Sequence, residues 1–236
     1  MILQTYTLGR GVYACVASGN MVFLDLHRNK YLCLDEPTSF AVQKMIGSNQ
    51  TLTDPVTSSS DLAYMDVIAE LCKRGVLTRA SRNTSDSMMS FLPPNSELSA
   101  SRSDEFTLLM IDVVNYVLSV AIATALLQFF PIRWICAVAS RLGGKASRCM
   151  RLVDIEKARR VLSAYSKLKI YSLRRRSCLS ESLCLKIFMS RYRLYPSWVF
   201  GVRMKPFEAH CWLQDGGLVF NDTVAYVKDF TQIMSS

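Results

Sequence analysis

The stretch that decides the fold is EAHCWLQDGGLVFND, residues 208–222. Apolar and polar residues alternate on both sides of Asp215-Gly216-Gly217, a pattern typical of a β-hairpin. A three-residue loop with one left-handed glycine would pair Gln214 with Leu218 and place His210 directly opposite Asp222. Opposed Cβ atoms lie about 4.5–5.5 Å apart, close enough for the carboxylate to orient the imidazole.

A helix is predicted upstream of this hairpin, from about Leu179 to Tyr192, because apolar residues recur there at helical spacing. Cys178 would lie in its first turn, where the helix dipole and free N–H groups stabilise a thiolate. Cys178, His210 and Asp222 are therefore candidates for nucleophile, base and orienter. Each has an ordinary structural explanation by itself, so the hypothesis depends on their combination. Cys184, six residues further on, is expected in the core.

The composition allows one large or two modest domains, since half of the 236 residues are apolar. Eight cysteines without a close CxxC pair, and only two histidines, disfavour a zinc site and a disulfide framework. We therefore predict no bound metal and no bound cofactor. The first residues lack the pattern of a secretory signal, and a cytoplasmic location is the default expectation.

Positive charge is concentrated in residues 131–210, which hold 18 lysines and arginines against four acidic residues, a local net charge of +14. Such a region could attract an acidic peptide, a nucleotide or an acidic protein, or could be a solvated helical face. No aromatic residues interleave the arginines at 174–176, which disfavours nucleic acid as a partner.

The first 80 residues predict a small sheet followed by helices. Apolar runs separated by turn residues indicate a three-stranded antiparallel meander over residues 12–34, with His27 solvated in a turn. Helices are expected at 39–46 and 61–74, and a short strand at 76–78.

Three further segments complete the pattern. Residues 81–104 are rich in Ser, Asn and Pro and predict a flexible linker between two domains. Residues 113–132 contain no charge, and we interpret them as a helix buried in the second domain, with a membrane-associated segment as the alternative. Residues 153–169 predict a basic amphipathic helix.

The N-terminal part resembles a peptide-recognition element through Val22-Phe23-Leu24-Asp25-Leu26, Lys30-Tyr31 and Gly75-Val76-Leu77. That winged-helix-like fold is the one of the small chaperone of pyrroloquinoline quinone biosynthesis. The resemblance implies that a leader peptide adds as a strand to an edge and packs against the helix at 61–74. The residues implied are Lys30, Tyr31, Leu32, Cys33, Leu34, Met65, Ile68, Ala69 and Cys72. An ordinary winged-helix-like domain with a paired edge is the alternative.

Residues 105–236 resemble the leader peptidase, or B protein, of lasso-peptide biosynthesis, which has a transglutaminase-like and papain-like cysteine protease domain. The motifs are Arg176-Ser177-Cys178-Leu179, Ser182-Leu183, Gly201-Val202, Pro206-Phe207, Ala209-His210-Cys211-Trp212-Leu213 and Asn221-Asp222. The resemblance implies an α+β fold with domains at 1–80 and 105–236, and a triad of Cys178, His210 and Asp222. It also implies cleavage of a lasso-peptide precursor for an asparagine-synthetase-like cyclase that consumes ATP. Cys211 replaces the alanine of many relatives and is expected to point to the opposite face of its strand.

Two other functions fit the same residues. The triad could transfer an acyl group to an amine, as a transglutaminase does, or the protein could be a non-catalytic scaffold that presents the leader to a partner.

Overall fold

The computed structural model describes residues 6–45, 59–79, 92–98, 108–142, 152–171 and 177–236. The chain divides into two compact units, an N-terminal unit at Met1–Ser90 and a C-terminal unit at Phe91–Ser236. Helices and strands occur in both units, so the mixed helix-and-sheet class is confirmed. The predicted domain bounds of 1–80 and 105–236 remain predictions.

The N-terminal unit contains the predicted meander. Its elements are β1 (Tyr6–Leu8), β2 (Val12–Ala17), β3 (Asn20–Asp25), β4 (Lys30–Cys33), α1 (Glu36–Met45), α2 (Ser59–Lys73) and β5 (Leu77–Arg79). β2, β3 and β4 form an antiparallel sheet in that order, which confirms the meander, and β5 pairs with β1. His27 lies in the turn between β3 and β4 and is exposed, as expected. The likeness of this unit to a leader-recognition element stays a prediction.

Apolar side chains of the strands and of both helices form a core cluster in this unit. Met21 and Phe23 of β3 pack with Ile68 and Leu71 of α2, and all four are buried. Leu32, on the edge strand β4, packs partly against the same cluster. The side chains of β4 that point inward are therefore fixed by the core, whereas its outer backbone edge has no neighbouring strand in its sheet among the described residues.

The C-terminal unit packs helices against a five-stranded sheet. Its elements are β6 (Ser96–Glu97), α3 (Met110–Phe129), α4 (Ile132–Leu142), α5 (Leu152–Lys169), α6 (Cys178–Ser190), β7 (Ser197–Arg203), β8 (Glu208–Asp215), β9 (Leu218–Val219), α7 (Val224–Val227) and β10 (Thr231–Ser235). The strand order is β10-β7-β8-β9-β6, with β6 parallel to β9 and the other pairs antiparallel. α5 and α6 coincide closely with predicted helices.

Part of the predicted linker belongs to this sheet. The backbone N–H groups of Asn95 and Ser96 donate to the carbonyl of Gly217, and Leu98 N–H donates to Val219 O. Leu98 is also buried. Residues 92–98 are therefore not a flexible linker, because their backbone is hydrogen-bonded to the hairpin; the rest of 81–104 lies outside the described residues.

The hairpin has a register one residue away from the predicted one. Gln214 pairs with Val219 and Asp215 with Leu218, so the loop contains two residues, Gly216 and Gly217. Gly216 has φ +56°, and a Cβ on Gly217 would lie 2.3 Å from the side-chain oxygen of Asn95. The sequence contained two glycines suited to a two-residue turn, and the prediction assigned Asp215 to the loop instead of the strand.

The uncharged segment forms α3, and the prediction that it is buried is wrong for most of its surface. Less than a third of its apolar stretch is buried. The buried positions are Asp112, Asn115, Tyr116, Ser119 and Ala123. Among the described residues α3 is the one helix whose length and composition would suffice to cross a membrane.

Candidate active site

Cys178 is the first residue of α6. Ser177 precedes it in an extended conformation and caps the helix, since its side chain accepts a hydrogen bond from Ser180 N–H. Helix capping by serine is common, and the helix N-terminus stabilises negative charge on the next side chains. The local sequence therefore places the thiol where a thiolate is favoured, as predicted.

The Cys178 sulfur is surrounded by hydrogen-bond donors. The thiol of Cys211 and the ring of His210 donate to it, and the backbone N–H of Cys211 adds a third bond. These bonds and the charge of His210 outweigh burial, and they lower the pKa of Cys178 from 9.0 to about 4. These contacts favour the thiolate form of Cys178.

His210 connects the thiolate to Asp222. Its Nε2 is hydrogen-bonded to Asp222 Oδ2 at 2.5 Å, so Nδ1 is the nitrogen that remains for Cys178. Burial would lower the pKa of His210, but hydrogen bonds to Asp222 and Cys178 and the charges of both raise it from 6.5 to about 9. The three predicted residues are thus brought together, with His210 between the Cys178 sulfur and the carboxyl group of Asp222.

Asp222 contacts His210 from the segment that follows β9, whereas the prediction placed it on a paired strand opposite His210. Pairing of β8 with β9 ends near Phe220, whose N–H donates to Leu213 O. The side chain of Asn221 then accepts from Leu213 N–H and replaces a backbone partner. The chain turns away from the sheet after that bond, and Asp222 Oδ1 accepts from Thr223 N–H while Oδ2 contacts the imidazole.

An aromatic wall encloses the imidazole. The ring centroid of His210 lies 6.0 Å from that of Trp212 in a stacked arrangement, 5.2 Å from Tyr226 and 5.3 Å from Phe230. Tyr226 also donates to Glu208 Oε1 at 2.7 Å, which fixes its ring. The wall limits the rotation of His210 and restricts water around it.

Hydrogen bonds of Ser182 connect the backbone of Cys178 to Trp198 and Cys211. Ser182 Oγ donates to the carbonyl of Cys178 at 2.6 Å and accepts from Trp198 Nε1 at 2.8 Å. It also lies 3.4 Å from the sulfur of Cys211. Cys211 therefore faces Ser182 of α6, whereas His210 packs against Tyr226 and Phe230, and the Cys211 thiol also bonds to Cys178. A polar residue four positions after Cys178 on an otherwise apolar helix face was the available signal for this network.

Two cavities lined by described residues of the C-terminal unit differ in character. A cleft of about 300 Å³ with mixed polar and apolar walls borders Asp222, between Glu181 of α6 and Thr223. A larger cavity of about 580 Å³ is lined almost entirely by apolar side chains of α3, α4 and α6, and none of the three candidate catalytic residues borders it. The cleft beside Asp222 is the better candidate for substrate because it adjoins the reactive groups.

The residues proposed for leader binding differ in accessibility. Lys30 and Cys33 are exposed on β4, while Tyr31, Leu32 and Leu34 are partly buried. On α2, Met65 and Ala69 are exposed and Cys72 is partly buried. Ile68 is 2% exposed and packs in the core, so it presents no surface to a ligand.

Comparison with known proteins identifies one family. Residues 123–235 match the profile described as the Transglutaminase-like superfamily, a superfamily of cysteine-protease-like enzymes. The match begins within α3, ends in β10 and includes Cys178, His210 and Asp222. No curated protein and no solved structure matches the chain. The chain therefore carries a transglutaminase-like domain at residues 123–235.

Proposed function

We propose that the protein is a cysteine peptidase that removes the leader from a ribosomally made lasso-peptide precursor. The observation that carries the proposal is the thiolate of Cys178 beside His210 and Asp222 at the start of a helix. An acyl-transfer reaction needs these groups: a nucleophile, an acid and base, and an orienter. The lasso-peptide substrate rests on the sequence motifs that resemble the B protein.

The reaction would proceed in two steps. The Cys178 thiolate attacks the carbonyl carbon of the scissile peptide bond, and the C–N bond breaks as His210 gives its proton to the leaving amine. The leader is then held as a thioester. Water attacks the thioester, His210 takes its proton, and the sulfur leaves as thiolate. The backbone N–H of Cys178 is the proposed donor to the oxyanion.

The N-terminal unit would bind the leader along β4. Leu34 N–H donates to Met21 O, and the register pairs Val22 with Cys33. Hydrogen-bonded and non-hydrogen-bonded pairs alternate along an antiparallel ladder, so the backbone N–H and C=O of Cys33 point away from β3. They are available to an added strand, which would supply affinity through backbone bonds.

The freed core peptide would pass to a partner. Hydrolysis creates a new amine at the start of the core, and a cyclase that consumes ATP would join it to a side-chain carboxyl group to close the ring. The peptidase itself needs no cofactor for the proposed steps.

Acyl transfer to an amine is the second candidate, because the transglutaminase-like match is compatible with it. The two reactions share the thioester and differ only in the group that attacks it. Hydrolysis adds one water to the leader fragment, whereas transfer adds the amine, so the mass of the product separates them.

The test uses the purified full chain and a synthetic precursor. We expect the wild type to release the leader as a free acid, and Cys178→Ala to release none above background, a loss of about 10³-fold or more. Cys184→Ala is the matched control, since Cys184 is a second cysteine of the same helix and is buried. Unchanged cleavage by Cys178→Ala would exclude Cys178 as the nucleophile and so the proposed peptidase mechanism. Precursor binding without cleavage by the wild type would instead favour a non-catalytic leader-binding scaffold.

A further inference from the structure

Helix α3 has the reverse of the usual amphipathic arrangement. Its polar residues Asp112, Asn115 and Ser119 are buried, and large apolar side chains are exposed. Val117 is 58% exposed on α3 and Trp134 is 55% exposed on α4. We call the exposed surface the α3–α4 apolar face and define it by Val114, Val117, Leu118, Ile122, Phe129 and Trp134.

Polar contacts hold the helix in this orientation. Asp112 accepts a hydrogen bond from Tyr192 and forms an ion pair with Arg160 of α5. Asn115 accepts from Arg191 Nε at 2.7 Å. Turning the apolar side inward would break these contacts and leave buried charged groups unpaired, which is costly. The apolar face is therefore a stable feature of the fold.

The exposed charged side chains of α3 and α4 are positive. Residues 109–142 contain three acidic or basic side chains, Asp112, Arg133 and Arg141. Asp112 is buried, and both arginines are exposed. The guanidinium of Arg133 lies over the ring of Trp134 at 5.7 Å. An apolar surface with aromatic residues and a positive rim is complementary to a layer that is apolar inside and anionic outside.

The larger cavity opens beside this face. Phe130, Trp134, Val138 and Tyr195 border it and are themselves exposed, and its walls are almost wholly apolar. A volume of about 580 Å³ is large enough for part of an acyl chain. A flat protein partner would leave such a cavity unfilled.

We propose that the α3–α4 apolar face binds the surface of an anionic lipid bilayer. A second copy of this chain is disfavoured, because it would bring the arginines of both copies together. The protein lies on the bilayer and does not cross it with this helix, since the other side of α3 is held by Arg160 of α5 and by Arg191 and Tyr192 just after α6. This inference is independent of the proposed peptidase activity.

The test is flotation of the full-length chain with vesicles. We expect binding to vesicles made of equal parts phosphatidylcholine and phosphatidylglycerol, and weaker binding to phosphatidylcholine alone. Val114→Gln with Val117→Gln should reduce partitioning by roughly tenfold or more, because two apolar side chains that would be buried in the bilayer are lost. Arg133→Gln and Arg141→Gln should each reduce it by roughly fivefold, and only on the anionic vesicles.

The matched control is Ile170→Gln with Tyr171→Gln. These two apolar residues are 81% and 80% exposed at the end of α5, outside the defined face, so their loss should leave binding unchanged. Circular dichroism of each variant verifies folding. Equal losses in both double variants would overturn the proposal, since binding would then follow total exposed apolar area.

Fluorescence gives a second readout. Of the three tryptophans, Trp198 and Trp212 are fully buried, so a blue shift on adding vesicles reports Trp134. Trp134→Phe should remove the shift and keep most of the binding. The proposal fails if the wild type floats with neither vesicle. It also fails if Val114→Gln with Val117→Gln instead abolishes a dimer seen by light scattering, which would assign the face to a protein partner.

Discussion

Cys178 and His210 form a charged pair over a pH range set by their two pKa values. The pKa of Cys178 is lowered to about 4 by donors from Cys211 and His210, and that of His210 is raised to about 9 by Asp222 and Cys178 against the effect of burial. Thiolate is present above the first pKa and imidazolium below the second. Proposed peptidase activity should therefore follow a bell-shaped profile with limbs near these values.

Alkylation of Cys178 tests the acidic limb of this pH profile. Iodoacetamide reacts with thiolate, so the rate at Cys178, followed by peptide mass spectrometry, should rise through a midpoint near pH 4, where an ordinary cysteine would have its midpoint near pH 9. Cys211→Ala removes the largest cause of the low pKa, and the midpoint should move upward. Cys184→Ala is the control and should not move it. An unchanged midpoint in Cys211→Ala would mean that the Cys211 thiol does not donate.

Cys211 illustrates what sequence reasoning at this scale misses. The identities of Cys178, His210 and Asp222 followed from residue type and order, because few side chains perform nucleophilic and base chemistry. The role of Cys211 depends on how the helix start sits against β8, and strand alternation alone assigned it to the other face. A side chain on the opposite face of a strand can still contact a neighbour at the end of a packed helix.

Strand β7 positions the aromatic wall because it contains a glycine opposite His210. A Cβ at Gly201 would lie 2.8 Å from Cη2 of Trp212 and 3.0 Å from Cβ of Phe230, both buried side chains. The ring of Trp212 therefore packs directly on the backbone of β7. That packing holds Trp212 in its stacked position beside the imidazole.

Gly201→Ala should destabilise the C-terminal unit by about 1–3 kcal/mol, because overpacking a tight core forces rings to move. Denaturant unfolding followed by tryptophan fluorescence measures the change. Ser197→Ala, at an exposed position of the same strand, should stay within about 0.5 kcal/mol of the wild type. Equal stability of Gly201→Ala and the wild type would show that the rings can shift without cost.

Elements were easier to predict than their pairing. The meander, α2, α5 and α6 follow from local periodicity and turn residues, which act over a few positions. The hairpin register was wrong by one residue because two adjacent glycines allow either a two- or a three-residue loop. The exposure of α3 was missed because a lack of charge is compatible with a protein core and with an exposed apolar face. Only the polar residues at 112, 115 and 119 distinguished the two, through their spacing on one side of the helix.

Among the described residues, the N-terminal unit has an unpaired strand edge at β4, and the C-terminal unit has the candidate nucleophile Cys178. If the first binds the leader, Cys33→Pro should weaken binding by roughly tenfold or more, because it removes an outward backbone donor. Proline is tolerated at such an edge position, where its missing N–H faces solvent. Fluorescence anisotropy of a labelled leader peptide measures the affinity.

Cys33→Ala is the control for the side chain and should bind the leader almost normally. A leader that binds Cys33→Pro as well as the wild type would exclude strand addition at this edge. Loss of affinity in both variants would assign the contact to the side chain instead of the backbone.

The contacts of β6 and its flanking residues determine where the chain can be truncated. Asn95, Ser96 and Leu98 bond to Gly217 and Val219 through their backbones. In addition, Glu97 accepts from Val224 N–H at the start of α7, and Leu92 O accepts from the amide of Gln214. A chain cut at the predicted boundary of residue 105 would lose all of these and expose the edge of β9. Unpaired strand edges join other chains, so such a fragment should aggregate. The smallest soluble fragment that keeps the hairpin beside Asp222 should therefore begin before Leu92.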